Sequence, residues 1–137
     1  MLKKFLARWS DEIYLVLRAL TGLMFSVHGM QKVFGILSDH QPPVGSQIWI
    51  GGVIELVAGL AIAVGFLTSC AALLASGTMA VAYIQFHWRL GFGKDLFPVV
   101  NKGELAVVYA LVFLYIATQG GGRFSVYAAL RAKNTES

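Results

Sequence analysis

The stretch Ile48–Leu67, IWIGGVIELVAGLAIAVGFL, runs for twenty residues with Glu55 as its only charge. A helix that crosses the hydrocarbon core of a bilayer needs about twenty predominantly apolar residues. A charge buried in mid-span costs about 3 kcal/mol even on lenient insertion scales, so Glu55 is expected to face a partner or a cavity rather than lipid. Upstream, Ile13–Val27 carries Arg18 as its only charge and runs straight into His28.

The whole chain shares this character, with 57% hydrophobic residues, 13% charged residues and a mean hydropathy of +0.68. That is too apolar for a soluble domain of 137 residues. Apolar windows at roughly 13–34, 48–67, 70–87 and 104–120 predict an all-α integral membrane protein, a multi-pass antiparallel four-transmembrane-helix bundle formed by one domain over residues 1–137. Pro42-Pro43 keeps the first connection non-helical. Only Thr68-Ser69 separates the second and third spans, which makes them an antiparallel hairpin. Asn101-Lys102-Gly103-Glu104 reads as a capping box opening the fourth helix, and Gly120-Gly121-Gly122 ends it.

The net charge of +4 comes from Lys and Arg scattered over tails and loops, without the aromatic-interleaved patch of a nucleic-acid binder. The expected partner is the bilayer. Lys3, Lys4 and Arg8 at one end and Arg123, Arg131 and Lys133 at the other outnumber Lys32, Arg89, Lys94 and Lys102, which places both termini in the cytoplasm. Trp9, Trp49 and Trp88 sit near span ends, as an interfacial belt requires. The N-terminus imitates a signal peptide, but Asp11, Glu12 and Arg18 interrupt its apolar region, so the first span is expected to be retained. Cys70 is the only cysteine, which excludes an intramolecular disulfide, a Cys-x-x-Cys pair and a thiolate metal cage.

Small residues indicate the packing faces. Gly51, Glu55, Gly59 and Ala63 recur every four residues, and Ala72, Ser76 and Ala80 do the same in the third span, with His87 seven residues further on. Arg18, Thr21, Phe25, His28 and Lys32 share one side of the first helix, with Gln31 beside His28. By depth, His28, Gln31, Lys32, Glu55, His87, Asn101 and Glu104 form one polar cluster, while Arg18 lies roughly 10 Å deeper and meets Glu55 only through tilt or a bridging water. The candidate catalytic groups are His28, Glu55 and Glu104. The candidate cofactor-binding groups are Arg18, His28, Gln31, Lys32, Glu55, His87 and Asn101. No metal site is expected.

These residues resemble the DoxX family of small four-helix bacterial membrane proteins. The likeness runs from Arg18 to Gly120 and is carried by Arg18, by His28-Gly29-Met30-Gln31-Lys32-Val33-Phe34-Gly35, by Gly51-Gly52-Val53-Ile54-Glu55 with Gly59 and Gly65, and by Phe97-Pro98 with Asn101-Lys102-Gly103-Glu104. The resemblance implies a bacterial inner-membrane protein linked to respiratory or sulfur redox chemistry, since the family takes its name from a subunit of a quinol-oxidising system.

Two readings of function stand side by side. In one, the polar cluster binds a quinone: His28, Gln31 and Lys32 supply donors, Glu55 relays protons, and another subunit supplies the electron partner. Any enzymatic role is then that of a quinone-linked oxidoreductase subunit. In the other, Arg18, Glu55 and Glu104 lock the bundle of a structural subunit that docks protein partners or further copies of itself. Haem ligation by His28 and His87 is disfavoured, because the Glu-x-x-His helical motif of di-iron bundles is missing and a lone histidine is usually structural.

Overall fold

The structure, a computed structural model, describes residues 1–135. Its elements are α1 (Leu2–Ala7), α2 (Ser10–Phe34), α3 (Gln47–Val64), α4 (Thr68–Ala82), a π-helical turn (Tyr83–Trp88), a 3-10 turn (Gly93–Leu96), α5 (Pro98–Asn101), α6 (Glu104–Gln119) and α7 (Val126–Thr135). Local sequence sets the ends of these helices. Gly35 stops α2 and Gly65 stops α3, both in the left-handed region that glycine enters without strain. Ser46 caps α3 by accepting a hydrogen bond from the Trp49 backbone N–H at 3.2 Å.

Cross-helix contacts fix the directions. Going up α2, Arg18 meets Ile62 and Ala63, Gly29 faces Gly52 and Leu56, and Lys32 reaches Glu55. The partners descend along α3 overall, so the two helices are antiparallel. In the second pair, Ser76 donates to the Ala110 carbonyl at 2.7 Å and the Tyr83 ring lies against Gly103, so α4 and α6 also run in opposite directions. The turn Gly65–Leu67 folds α3 back on α4. The start of α2 and the segment that leads into α7 lie at one end of the molecule, where Tyr14 donates to the Gly120 carbonyl at 2.5 Å and the Tyr127 N–H to that of Gly65 at 3.3 Å.

The core is built from Phe25, Ala58, Ile62, Ala72, Ala75, Met79, Tyr109, Phe113 and Ile116. Outside it, Val16, Leu20, Leu60, Leu73 and Leu111 are all about half exposed or more, an apolar coat far larger than a water-facing surface tolerates. Three helical stretches, Ser10–Phe34, Gln47–Val64 and Thr68–Trp88, are long and apolar enough to cross a membrane. The fourth apolar helix, Glu104–Gln119, has 16 residues, or roughly 24 Å at 1.5 Å per residue.

Two local expectations need correction. Asn101 ends α5 instead of capping α6: its Oδ1 accepts from the Gly103 N–H at 2.9 Å, and Gly103 takes the N-cap position without a side-chain cap. Ala80 is exposed, and the buried stripe of α4 is Thr68, Ala72, Ala75, Ser76 and Met79. Four-residue steps drift about 40° each around an α-helix, so Ala80 lies roughly 80° from Ala72 while Met79 stays within about 20° of it. In an α-helix the Met79 stripe would continue to Phe86, but the widened turn, closed by Arg89 N–H to the Ile84 carbonyl at 2.8 Å, delays it to His87.

The α2–α3 contact is backbone against backbone. A Cβ on Gly59 would stand 2.6 Å from the Gly22 carbonyl oxygen and from the Ser26 nitrogen, and one on Gly22 would stand 2.7 Å from the Gly59 carbonyl oxygen. Neither neighbour can rotate away. Gly59→Ala is therefore expected to destabilise the detergent-solubilised protein by about 2 kcal/mol, as overpacking does. Gly51→Ala, which meets nothing within 4 Å, should not lower the unfolding midpoint. Equal midpoints for the two variants would contradict the close approach.

Candidate functional site

Lys32 leaves the last turn of α2, and its stem lies along the surface of α3 above Gly52, where any Cβ would collide with the lysine's own Cβ. Its ammonium ends on Glu55 Oε1, in the middle of α3. The carboxylate is 2% exposed, while the lysine is partly open to its surroundings. The pair satisfies one carboxylate oxygen. The other, Oε2, is buried without a hydrogen-bond partner.

Glu55 lines a cavity of about 590 Å³, within the size range of small-molecule sites. His28 and Lys32 from α2, Glu55 from α3, His87 from the π-helical turn, and Lys102 and Tyr109 from around α6 supply its polar groups. His87 Nδ1 lies 3.3 Å from the Asn101 carbonyl. A neutral ring that donates there leaves Nε2 as an acceptor. Gln47, Thr78, Gln85 and apolar side chains form the rest of the wall, and Ile48, Ile50, Val81 and Phe86 are more than 40% exposed, so the wall continues onto the outer coat between α3 and the α4 side.

The structure brings only part of the expected cluster together. His28, Lys32, Glu55 and His87 share the cavity. Glu104 is exposed and does not line it: it precedes the buried Ala106 by two residues, roughly 200° around the helix. Gln31 turns to the first loop, where Nε2 donates to the Leu37 carbonyl at 3.0 Å. Asn101 is occupied below the π-helical turn, donating from Nδ2 to the Asp95 carbonyl at 2.9 Å and to the Tyr83 hydroxyl at 3.2 Å.

Arg18 does not pair with Glu55, directly or otherwise. Buried to 1% exposure, it donates from Nη1 to the carbonyls of Ile62 and Ala63 and from Nη2 to that of Phe124 at 2.7 Å. Ile62 stands two helical turns from Glu55, roughly 10 Å along the axis. The guanidinium answers the carbonyl-rich, negative end of α3, where intrahelical N–H donors run out.

Sequence reading missed Tyr109. It is 4% exposed, its hydroxyl has no hydrogen-bond partner, and its ring is fixed between Phe25, Phe113 and His28, with centroids 5.6, 5.4 and 6.3 Å away. The signal was present: a tyrosine on the buried stripe of an otherwise apolar helix carries a hydroxyl that needs a partner.

Helices long and apolar enough to cross a membrane, packed around a buried ion pair that lines a cavity, are the features of a membrane protein with an internal polar cluster. The family model described as DoxX matches residues 13–88, which contain Arg18, His28, Lys32, Glu55 and His87, and the chain belongs to the DoxX family. A protein of Haemophilus influenzae described as "Uncharacterized protein" is 36% identical over 110 residues, covering 77% of this chain and 81% of that relative. No solved structure matches the chain.

Removing the cation alone strands a buried carboxylate. Lys32→Met should therefore destabilise the protein by about 3–5 kcal/mol, whereas K32M/E55L, which removes both charges, should recover most of that loss. Chemical unfolding in detergent measures both. A double variant no more stable than K32M would argue against the pairing.

Proposed function

We propose that the chain is a four-helix antiparallel bundle in the bacterial inner membrane, with α6 as the fourth span and both termini cytoplasmic, and that it is the quinone-binding component of a membrane redox system. The shorter α6 is accommodated by local thinning of the bilayer. The clustering of basic residues in the two terminal segments, which leave the bundle from one end, supports the orientation. A C-terminal phosphatase fusion active in the periplasm would overturn it.

The observation that carries the binding role is Glu55: a buried carboxylate lining the cavity, with one oxygen on Lys32 and the other unpartnered. In this reading the ring of the ligand lies among His28, Glu55, His87 and Tyr109, and its tail leaves past Ile48, Ile50, Val81 and Phe86 into lipid. Oxidation of a quinol releases two protons and two electrons. Glu55 accepts one proton, His87 Nε2 the other, and the two electrons pass to a redox-active partner subunit. The alternative is a purely structural subunit, and the Lys32–Glu55 pair is the observation that favours it, because such a pair fixes the register of α2 on α3.

Glu55→Gln separates the two, since the amide keeps the shape and the hydrogen bonding but cannot carry a proton. The binding role predicts a folded variant whose complex loses quinone-linked turnover by at least about tenfold, as removal of a proton-transfer group does. Unchanged turnover with Glu55→Gln, together with loss of folding in Glu55→Leu, would leave the structural role standing.

A further inference from the structure

α1 buries none of its residues in the bundle. Leu2, Phe5 and Leu6, with Trp9 directly after the helix, are all about half exposed or more. At about 100° per residue, Leu2, Phe5 and Leu6 fall within about 100° of arc, and Lys3, Lys4 and Arg8 occupy the remaining face. Among the described residues none of these three cations has an ion-pair partner. The acids that follow, Asp11 and Glu12, lie in the first turn of α2, where the helix N-terminus favours them.

Position adds a second constraint. α1 leads through Arg8 and Trp9 into Ser10–Phe34, which is long and apolar enough to cross a membrane, so its apolar stripe lies within roughly 12 Å of the end of that span. Trp9 leaves helical geometry, with φ −105° and ψ 11°, which makes α1 a separate helix and not the first turns of the span. A helix held at a bilayer surface with large apolar side chains on one face and basic ones on the other buries the first at the acyl boundary and sets the second among the headgroups. The same end of the bundle carries α7, where Val126, Tyr127 and Leu130 are more than 40% exposed on a helix that also bears Lys133. We propose that α1 lies in the plane of the membrane and binds anionic lipid, with its basic face on the phosphate headgroups. The inference uses only the reading of Ser10–Phe34 as a membrane span and is independent of any ligand in the cavity.

The test uses the full chain with Cys70→Ser and a single nitroxide at Leu6→Cys or Lys4→Cys, in vesicles of phosphatidylcholine with or without phosphatidylglycerol. All these positions are exposed, so the bundle folds in each variant. Collisions of the label with oxygen, which concentrates in lipid, and with a neutral water-soluble nickel chelate read its depth. With phosphatidylglycerol present, the oxygen-to-nickel ratio at Leu6→Cys should exceed that at Lys4→Cys. It should also rise at least about fivefold over phosphatidylcholine alone, the effect of one basic residue near an anionic surface. Neutralising the basic face with K3Q/K4Q/R8Q should remove that rise, and high salt should reduce it. Equal ratios at the two positions in both membranes would put α1 in water and overturn the proposal. A deep Leu6→Cys label with no dependence on phosphatidylglycerol would overturn the binding of anionic lipid. A label shielded from both oxygen and nickel would overturn it in favour of a protein partner.

Discussion

The direct approach of α2 to α3 is the constraint on which the rest of the molecule depends. Between helices in lipid there is little hydrophobic driving force, so association relies on close packing, and close packing requires small residues at the seam. Gly22, Gly29, Gly52 and Gly59 supply them, each at a point where a Cβ would strike the other helix or a side chain lying on it. Bringing the backbones together also brings the side chains beside the seam within reach of the opposite helix. Arg18 can then touch the end of α3 and Lys32 its middle. Moving the helices apart by the width of one methyl group would weaken both contacts together.

Gly52 shows how packing and site are coupled. It contributes no chemical group, yet the Lys32 stem occupies the space its side chain would fill, and only through that space does the ammonium arrive at a buried carboxylate. The pair then decides the state of the cavity. A carboxylate held by a lysine keeps its remaining oxygen as an acceptor, and Tyr109, on a helix from the other antiparallel pair, lines the same cavity with a phenol that can donate. The site is thus assembled across the junction between α2–α3 and α4–α6 and does not exist within either pair alone.

Much of this was legible in the sequence, because a lone carboxylate in a twenty-residue apolar span admits few explanations. The three long helices, the glycine stops and the inward direction of Glu55 all follow from periodicity and from the cost of burying charge. Other features depend on terms that spacing does not contain. The partners of Arg18 are backbone carbonyls, which leave no trace in side-chain patterns. His87 faces the cavity because one turn widens, a departure of a single residue from the 3.6 period that a stripe argument assumes. Glu104 stands outside the cavity for a related reason: the inward face of α6 is set by Ala106, Tyr109, Phe113 and Ile116, and Glu104 falls outside it.

The two buried charges divide the protein into unlike ends. At the end where α2 starts and the chain leads into α7, the terminal nitrogens of Arg18 are spent on carbonyls of α3 and on Phe124, so the charge ties the C-terminal turn to the bundle and has little left to offer a ligand. At the other end Glu55 is only half spent. A purely structural ion pair would be expected to satisfy both carboxylate oxygens, since an unpaired buried acceptor costs about 1–3 kcal/mol or more when charged. Here the residue that carries the unsatisfied oxygen lines a cavity that Tyr109 also lines and that continues onto the apolar outer coat. Both groups keep one buried polar atom unpartnered, Nε of Arg18 and Oε2 of Glu55, but only Glu55 belongs to a residue that lines the cavity.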